Sequence, residues 1–375
     1  MSNIHFNKEK GSQLNLFTPG PVYVPERILK ELAKPNDTHR SGPYEEMHKE
    51  ATDGLQKLLY TDNDCFIFTS SATGVMEACV RNLIKEDEKA LFLSIGAFGD
   101  RWHKIGEKNG KNSTKEEVEW GKALKPEFVK DALSKDDYDV VFLQSNETST
   151  GVYNPVNEII PIIKDTGAIV CVDTTSSIAG MKIEVDKLGI DVCLASVQKC
   201  LALPPGLAVA SISEVALEKA ETVEHRGHYF DFVYFNKKNQ QNQTPTTPPI
   251  PQIRALRAQL DYILNTEGLE DRFKRHEQLG KRTRIWARDM NLEMFSESGH
   301  ESNTVSTMEN TLNIDYAKMV AEMLSKGYRI VNGYGDLANK TFRIGHMGEI
   351  TIKQLEEMLE DLTDIISSMR LNKIS

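Results

Sequence analysis

Six short apolar runs recur between residues 65 and 213, and helical patterns separate several of them. The runs are CFIF at 65–68, ALFL at 90–93, VVFLQ at 140–144, AIVCV at 168–172, DVCLA at 191–195 and LAVASIS at 207–213. Most are continuous rather than alternating, which is typical of strands that are buried on both faces. Strands that alternate with helices indicate a mostly parallel sheet with helices on both sides. The pattern therefore predicts a large α/β domain.

The chain changes character near residue 244. The stretch TPTTPPIP at 244–251 has three prolines within four residues, which excludes a helix or a central strand. A long helical pattern then runs from Gln252 towards Arg288. The last helical pattern begins at a Thr351 cap and carries apolar residues at helical spacing, namely Ile352, Leu355, Leu359, Leu362 and Ile366. We therefore expect three parts, namely an N-terminal segment over 1–20, a large α/β domain over 21–260 and a smaller α+β domain over 261–375.

The composition is ordinary for a soluble globular protein, and it argues against several functional classes. The chain has 375 residues, of which 39% are hydrophobic and 27% are charged. Its formal net charge of −10 argues against nucleic acid or an anionic membrane as a main partner. No apolar run approaches the length needed to cross a bilayer, and the polar start lacks the apolar core of a signal peptide. We therefore expect a cytoplasmic protein.

The cysteines and histidines indicate neither disulfides nor a metal site. The five cysteines show no CxxC spacing, and four of them lie in apolar surroundings, which is typical of reduced thiols. Among nine histidines, only His225 and His228 form a close pair, and no cysteine accompanies them. A closed zinc site needs a fuller set of ligands, so we predict no metal ion.

Polar groups directly follow four of the apolar runs. TSSATG follows the first run, SNETSTG follows the third, Asp173 and TTSS follow the fourth, and SVQK with Lys199 follows the fifth. In open parallel sheets, ligands bind at the carboxyl ends of the strands. Ser, Thr, Asn and Asp also serve as plain turn and cap residues, but four such clusters that include an acid and a lysine predict a functional site.

The chemistry of these groups points to a phosphate, a carbonyl carbon and a protonated ring nitrogen. In TSSATGVMEA, small residues lead from a strand into a helix, whose free N–H groups at the N-terminus bind phosphate. This stretch is neither a P-loop nor GxGxxG. Lys199 lies among apolar residues, a setting that lowers the pKa of an amine and favours Schiff bases with carbonyl compounds. Asp173, at the end of a neighbouring strand, can pair with a protonated pyridine nitrogen. A phosphate, an aldehyde and a pyridine nitrogen together describe pyridoxal 5′-phosphate.

The same residues resemble the class V aminotransferases, in the branch of the alanine–glyoxylate and serine–glyoxylate (serine–pyruvate) aminotransferases. SVQKCLALPPGLA resembles the family segment whose lysine holds the cofactor. Further similar stretches are FTPGPVYVPERIL at 17–29, HRSGPY at 39–44, SIGAFGDRW at 94–102, NETSTG at 146–151, VDTTSS at 172–177 and FRIGHMGE at 342–349. Their order and spacing together are highly specific. The resemblance implies the aspartate-aminotransferase fold (fold type I) and a homodimer with its sites at the interface.

The resemblance also implies a role for each matching residue. Lys199 would hold the cofactor through its aldehyde and move a proton, and Asp173 would pair with the ring nitrogen. Arg343 would bind the substrate carboxylate, and Thr247 would reach into the neighbouring subunit. The other cofactor-binding residues implied are Ser71, Ala72 and Thr73 around the phosphate, Phe98 stacked on the ring, Thr148 near its hydroxyl, Gln198 near the phosphate, and Thr175. Family members usually have glycines in place of Ser70 and Ala72. The Cβ atoms of serine and alanine restrict the backbone dihedrals and therefore affect how closely the backbone can approach the phosphate.

The implied function is transfer of an amino group from a small amino acid, such as alanine or serine, to a 2-oxo acid such as glyoxylate or pyruvate. Three alternatives share the fold, namely 2-aminoethylphosphonate–pyruvate aminotransferase, phosphoserine aminotransferase and a cysteine desulfurase-type lyase. The lyase needs a reactive cysteine well after the lysine, whereas the last cysteine here is Cys200. A non-catalytic α/β binding protein is the alternative from another class. Serine, alanine, aspartate and aminoethylphosphonate are all candidate donors, and His39 and Arg40 have no assigned role.

Overall fold

The computed structural model describes residues 14–374, so residues 1–13 of the expected N-terminal segment lie outside it. The strands are β1 Asn15–Leu16, β2 Asp64–Phe68, β3 Lys89–Ser94, β4 Asn112–Glu117, β5 Val140–Gln144, β6 Asn146–Glu147, β7 Val152–Tyr153, β8 Ile169–Asp173, β9 Val192–Ser196, β10 Ala208–Ile212, β11 Val305–Glu309, β12 Tyr328–Arg329, β13 Val331–Asn332 and β14 Thr341–Gly345. The α-helices are α1 Glu26–Leu32, α2 Gly42–Leu59, α3 Ala72–Leu83, α4 Ala97–Lys108, α5 Pro126–Leu133, α6 Val156–Lys164, α7 Val185–Leu188, α8 Glu214–Glu221, α9 Phe232–Asn239, α10 Ile250–Asp261, α11 Leu269–Asp289, α12 Tyr316–Ser325 and α13 Ile352–Ile374.

A seven-stranded sheet forms the centre of the larger part of the molecule. Its strand order is β2-β10-β9-β8-β5-β3-β4, and only β10 runs antiparallel to its neighbours. Each of the six apolar runs forms a strand of this sheet, so the predicted mostly parallel sheet is confirmed. The apolar pattern misses β4, because its sequence NSTKEE is polar at the sheet edge, where charged side chains discourage pairing with other chains.

The apolar runs are continuous because both faces of the sheet are buried. In β5, Val141 and Leu143 join one apolar cluster, and Val140 and Phe142 join the cluster on the opposite face. Helices α3 and α4 contribute to the second cluster, whereas α2, α6 and α10 contribute to the first. Burial of a single Leu or Phe side chain stabilises the fold by roughly 1.5–3 kcal/mol. The sheet therefore provides a rigid base for the polar loops at its carboxyl edge.

A third apolar cluster lies in the C-terminal part of the chain. It combines residues of α11, α12 and α13 with residues of the three-stranded sheet β11-β14-β13, and Phe17 joins it from the N-terminal side. The predicted Thr351 cap is present, since its hydroxyl accepts from the Gln354 N–H at 3.3 Å while Gln354 Oε1 accepts from the Thr351 N–H at 2.9 Å. Of the predicted apolar stripe, only Ile352 in the first turn is exposed. The domain boundaries at residues 20 and 260 stay predictions.

The helical pattern that runs from Gln252 towards Arg288 is two α-helices rather than one. Helix α10 ends at Asp261, a π-helical segment covers Tyr262–Glu267, and α11 begins after Gly268. Of the stretch 244–251, for which we predict no helix, residues 244–249 form neither helix nor strand. The prediction is wrong at Ile250 and Pro251, which begin α10, because the N–H that proline lacks has no partner in the first turn of a helix. None of the helices within residues 14–374 is both long enough and apolar enough to cross a membrane.

Candidate active site

Lys199 lies in the turn that follows β9, and only 7% of its surface is exposed. Its Nζ donates to the Pro19 carbonyl oxygen at 2.6 Å and to Thr148 Oγ1 at 3.5 Å. Burial lowers the pKa of the Lys199 ammonium to about 8, although the nearby Asp173 carboxylate opposes the shift. Near this pH a large fraction of the side chain is a neutral amine, which is the nucleophilic form.

Neighbouring segments fix the turn that carries Lys199. The Val22 N–H donates to the Gln198 carbonyl oxygen at 3.2 Å, and the buried Arg272 guanidinium donates to the Cys200 carbonyl oxygen. Gly20 has φ +101° and passes so close that a Cβ there would lie 2.9 Å from Lys199 Cγ. These contacts from both ends of the chain restrict the directions that the lysine side chain can take.

Asp173 ends β8, which is the strand beside β9, and it is 5% exposed. One carboxylate oxygen accepts from the Thr175 N–H at 2.8 Å. Burial raises the pKa of the Asp173 carboxyl, and the charges of Lys199 and Arg101 oppose the shift. Among the described residues, none forms an ion pair with Asp173. A cationic ligand would stabilise the charged form of a buried carboxylate that has no ion pair.

The predicted phosphate cradle lies where β2 leads into α3. Ser71 is the N-cap residue of α3, and its side chain accepts no hydrogen bond from the helix. It is exposed, Ala72 is buried and Thr73 is half-buried, so the start of the helix opens onto the surface. Ser70 turns its hydroxyl to the Ser71 carbonyl oxygen at 2.9 Å. A helix N-terminus without a side-chain cap is suited to bind an anion.

The Phe98 ring is half-buried on the first turn of α4 rather than part of an apolar core. Lys199 Nζ lies 5.9 Å from its centroid, and the Arg101 guanidinium carbon lies 4.6 Å from it. The Tyr334 ring stacks on Phe98 with centroids 5.5 Å apart and an interplanar angle of 26°. The stacking residue implied by the family resemblance is thus brought close to the lysine.

Two residues of this cluster escaped the sequence analysis. Arg101 donates to the Tyr334 hydroxyl at 2.8 Å and to Thr73 Oγ1 at 3.3 Å, so it links the C-terminal part of the chain to the predicted phosphate cradle. Arg101 lies within SIGAFGDRW, three residues after Phe98. On a helix this spacing places the two side chains on one face, so the spacing could have identified Arg101 as a neighbour of the stacking residue. Tyr334 lies in an irregular loop without a motif, and no local pattern identifies it.

Arg343 extends from β14 towards the same cluster and is 7% exposed. Its Nε donates to the Asn332 carbonyl oxygen at 3.0 Å, and its Nη1 donates to the Thr148 carbonyl oxygen at 3.2 Å. Within the part of the chain that the structure describes, Arg343 forms no ion pair. Thr148 therefore bridges Lys199 and a buried cation that an anionic ligand would stabilise.

The remaining predicted residues lie at the edges of this cluster or away from it. The half-buried Gln198 side chain accepts from the Ser196 hydroxyl, and its predicted phosphate contact stays a prediction. Thr247 is exposed, and the Arg40 guanidinium donates to the Thr244 carbonyl oxygen at 3.3 Å. The segments 39–44 and 244–249 thus pack together at the surface, and the predicted reach of Thr247 into a partner subunit stays a prediction.

Three groups of the cluster match three parts of pyridoxal 5′-phosphate. The partly neutral amine of Lys199 suits its carbonyl carbon, and the Asp173 carboxylate without an ion pair suits its protonated ring nitrogen. The α3 N-terminus at Ser71 suits its phosphate. The residues present therefore fit this cofactor. In residues 14–374, no group of three or more His, Cys, Asp or Glu side chains could hold a metal ion.

Comparisons with known proteins identify the family of this chain. The family model described as Aminotransferase class-V matches residues 26–330. An uncharacterized aminotransferase of Methanocaldococcus jannaschii is 40% identical over 338 residues, which cover 89% of this chain and 87% of that protein. A serine–glyoxylate aminotransferase of Methylorubrum extorquens is 32% identical over 349 residues, which cover 90% of this chain and 87% of that protein.

The crystal structure of an alanine–glyoxylate aminotransferase from Nostoc sp. has the same fold. It superposes with a TM-score of 0.91 at 23% identity, and the match covers 97% of this chain and 98% of that chain. The predicted family and fold type I are therefore confirmed. On the match of the family model and these relatives, the chain belongs to the class V aminotransferases, which depend on pyridoxal 5′-phosphate.

Proposed function

We propose that the protein transfers the amino group of a small amino acid, such as serine or alanine, to a 2-oxo acid such as glyoxylate or pyruvate. The observation that carries this proposal is the buried Arg343, which has no ion pair and shares Thr148 with the Lys199 amine. Both reactants of a transaminase are 2-amino or 2-oxo acids, so one arginine can bind the carboxylate of each. Similarity to a serine–glyoxylate aminotransferase supports the choice of a small donor.

The chain's own residues would divide the work of the reaction. Pyridoxal 5′-phosphate, when bound, supplies a reactive carbonyl group and a ring that withdraws electrons. Lys199 Nζ would first hold that carbonyl carbon and later take the proton from the substrate Cα, while Thr148 Oγ1 at 3.5 Å orients the amine. Arg343 would fix the substrate carboxylate, and Phe98 would shield one side of the site from water. Asp173 would keep a positive charge on the ring nitrogen.

The lyase alternative does not fit the surroundings of Cys200. This thiol is fully buried, and burial raises its pKa to about 11, so it is neither accessible nor ionised at neutral pH. The five cysteines are free and buried, which suits a reducing compartment, and we propose a cytoplasmic location. Phosphoserine and 2-aminoethylphosphonate stay as alternative donors of the same site, to be decided by experiment.

A panel of donors and acceptors tests the proposed reaction. Serine, alanine, aspartate, phosphoserine and 2-aminoethylphosphonate would each be assayed with glyoxylate, pyruvate and 2-oxoglutarate. We expect the highest kcat/KM for serine or alanine with glyoxylate or pyruvate. A preference for either phosphorus-containing donor would replace the proposed substrate class. Release of sulfide from cysteine would indicate a lyase, and a chain that binds cofactor but turns over no donor would indicate a binding protein.

Replacing Asp173 by alanine is expected to weaken cofactor retention and to lower kcat by roughly 10²–10⁴-fold. The substitution would remove the residue that pairs with the ring nitrogen when the cofactor is bound, and loss of one partner of a buried ion pair costs roughly 3–5 kcal/mol. Asp173→Glu, which keeps the charge, should be milder. Cofactor retention after dialysis and the rate of Cα–H exchange measure the two effects.

Asp191 provides the matched control for this prediction. It is another buried aspartate, it directly precedes β9 at the end away from Lys199, and its carboxylate pairs with Lys164 Nζ at 2.6 Å. Asp191→Asn should lower the melting temperature and leave cofactor retention unchanged. If Asp173→Ala behaved in the same way, the Asp173 carboxylate would have only a structural role.

We also propose a homodimer in which Thr247 completes the site of the neighbouring subunit. Thr247 is exposed, and the segment around it is held by Arg40 rather than by a helix or strand. Mixing Lys199→Ala with Thr247→Ala subunits tests this arrangement, because a mixed dimer has one doubly altered site and one intact site. With free exchange about half of the dimers are mixed, so roughly a quarter of wild-type activity should return.

The mixing experiment needs two conditions to be met first. Thr247→Ala alone must be clearly impaired, and labelled subunits must be shown to exchange. Under those conditions, a mixture with no more activity than its two components would mean that each site is built within one chain.

A further inference from the structure

Helix α4 carries Phe98 and Arg101, yet the residue before its first turn offers no cap. This residue is Gly96, which has no side chain to accept from the first N–H groups of the helix. The missing acceptors come from the end of β6 and from the loop that connects β6 to β7. The Ala97 N–H donates to Ser149 Oγ at 3.1 Å, and the Phe98 N–H donates to Glu147 Oε2 at 3.0 Å.

The Glu147 carboxylate is fully buried, and both of its oxygens accept hydrogen bonds. Its other oxygen accepts from the Ser149 N–H at 2.9 Å and from the Ser149 hydroxyl at 2.6 Å. Because the Ser149 hydroxyl donates to Glu147, its oxygen is left to accept from Ala97. Burial raises the pKa of the Glu147 carboxyl, but the three donors and the positive end of the helix dipole favour the charged form.

Glu147 and Ser149 cap the helix from outside, and their side chains leave no room for a capping side chain at position 96. A Cβ at Gly96 would lie 2.6 Å from Glu147 Cγ and 2.7 Å from Ser149 Oγ, which is closer than real atoms pack. A serine or aspartate at position 96, the usual choice for a cap, would therefore displace Glu147 and Ser149. The glycine and the two polar side chains form one unit.

Thr148, between the two capping residues, contacts the opposite side of the site. Its hydroxyl accepts from Lys199 Nζ, and its carbonyl oxygen accepts from Arg343. One tripeptide thus connects the lysine and the arginine to the helix that presents Phe98. We propose that Glu147 and Ser149 are positioning residues that cap α4 from outside and thereby hold Phe98 against the bound cofactor. This inference rests on the proposed function only in that it concerns the same site.

The test is Glu147→Gln in the purified holoenzyme. The amide has the same shape but a single acceptor oxygen, and its NH2 group would face N–H donors. We expect the dissociation constant of pyridoxal 5′-phosphate to rise roughly tenfold or more, as the loss of a hydrogen bond to a charged group predicts. The visible circular dichroism of the bound cofactor should weaken, because the Phe98 ring would no longer be fixed. Ser149→Ala should change both quantities in the same direction by less.

Asp191→Asn again separates positioning from general stability. All three variants are expected to lower the melting temperature, but only the two at the cap should change cofactor affinity and circular dichroism. If Glu147→Gln lost stability like Asp191→Asn and kept wild-type cofactor binding and dichroism, the positioning role would be overturned. If Glu147→Gln did not fold, Ser149→Ala would decide by the same criterion. A wrong substrate assignment would show in the donor panel and leave these cofactor measurements unaffected.

Discussion

Replacing Lys199 by alanine is expected to lower kcat by roughly 10³-fold or more for every donor. General base catalysis alone contributes roughly 10²–10⁴-fold, and the same amine would also hold the cofactor. The alanine variant should still bind pyridoxal 5′-phosphate in part, because the α3 N-terminus and Asp173 are unchanged. Single-turnover kinetics with reconstituted protein would measure the loss at the chemical step.

A surface lysine provides the control for this variant. Lys182 is partly exposed and pairs with Glu270 at 3.2 Å, so Lys182→Ala should retain wild-type kcat. Added methylamine should restore part of the activity of Lys199→Ala, since a small amine can enter the space left by the side chain and accept the proton. Transamination by Lys199→Ala at a rate near the wild type would show that Lys199 is not the reacting amine.

Arg343→Lys is expected to be severely impaired for every amino acid, although the charge is conserved. The planar guanidinium can donate two parallel hydrogen bonds to a carboxylate, and an ammonium cannot reproduce that geometry. Arg343 is also held by the Asn332 and Thr148 carbonyl oxygens, which fixes its plane. Loss of such a buried contact should cost roughly 2–5 kcal/mol in kcat/KM. The absorption spectrum of the bound cofactor should stay normal.

A donor without an α-carboxylate separates binding from structure at Arg343. A simple amine, however slow, should react at nearly the same rate in the wild type and in Arg343→Lys, because it makes no contact with the guanidinium. Equal losses for the amine and for alanine would assign Arg343 a structural role and remove it as the carboxylate-binding residue.

The fold was predictable from sequence where burial alone determines the pattern. The run VVFLQ of β5 is apolar throughout because both of its faces are covered, and the same holds for most of the other runs. The antiparallel direction of β10 was not predictable, since its residues would be equally buried in either direction. The edge strand β4 was missed because half of its surroundings is solvent.

The sequence predicts which residues carry the chemistry of the site, but not the contacts between site residues that lie far apart in the chain. Asp173 ends the buried strand β8 and Lys199 follows the buried strand β9, so the topology alone brings them to one edge of the sheet. Glu147 lies inside a recognised motif, but local pattern does not show that its carboxylate caps a helix 50 residues earlier in the chain. Tyr334 reaches Phe98 only through the packing of the C-terminal part on the large sheet. Such contacts depend on tertiary structure, and neither periodicity nor spacing records them.

Reduction of the holoenzyme with borohydride, followed by mass mapping of its peptides, tests the central claim most directly. Borohydride converts the bond between the cofactor and a lysine amine into a stable secondary amine. We expect a single modified peptide, the one that contains Lys199, and no modified peptide from Lys199→Ala treated in the same way. Modification of a different lysine in the wild type, or of none, would contradict the assignment of Lys199 as the residue that holds pyridoxal 5′-phosphate.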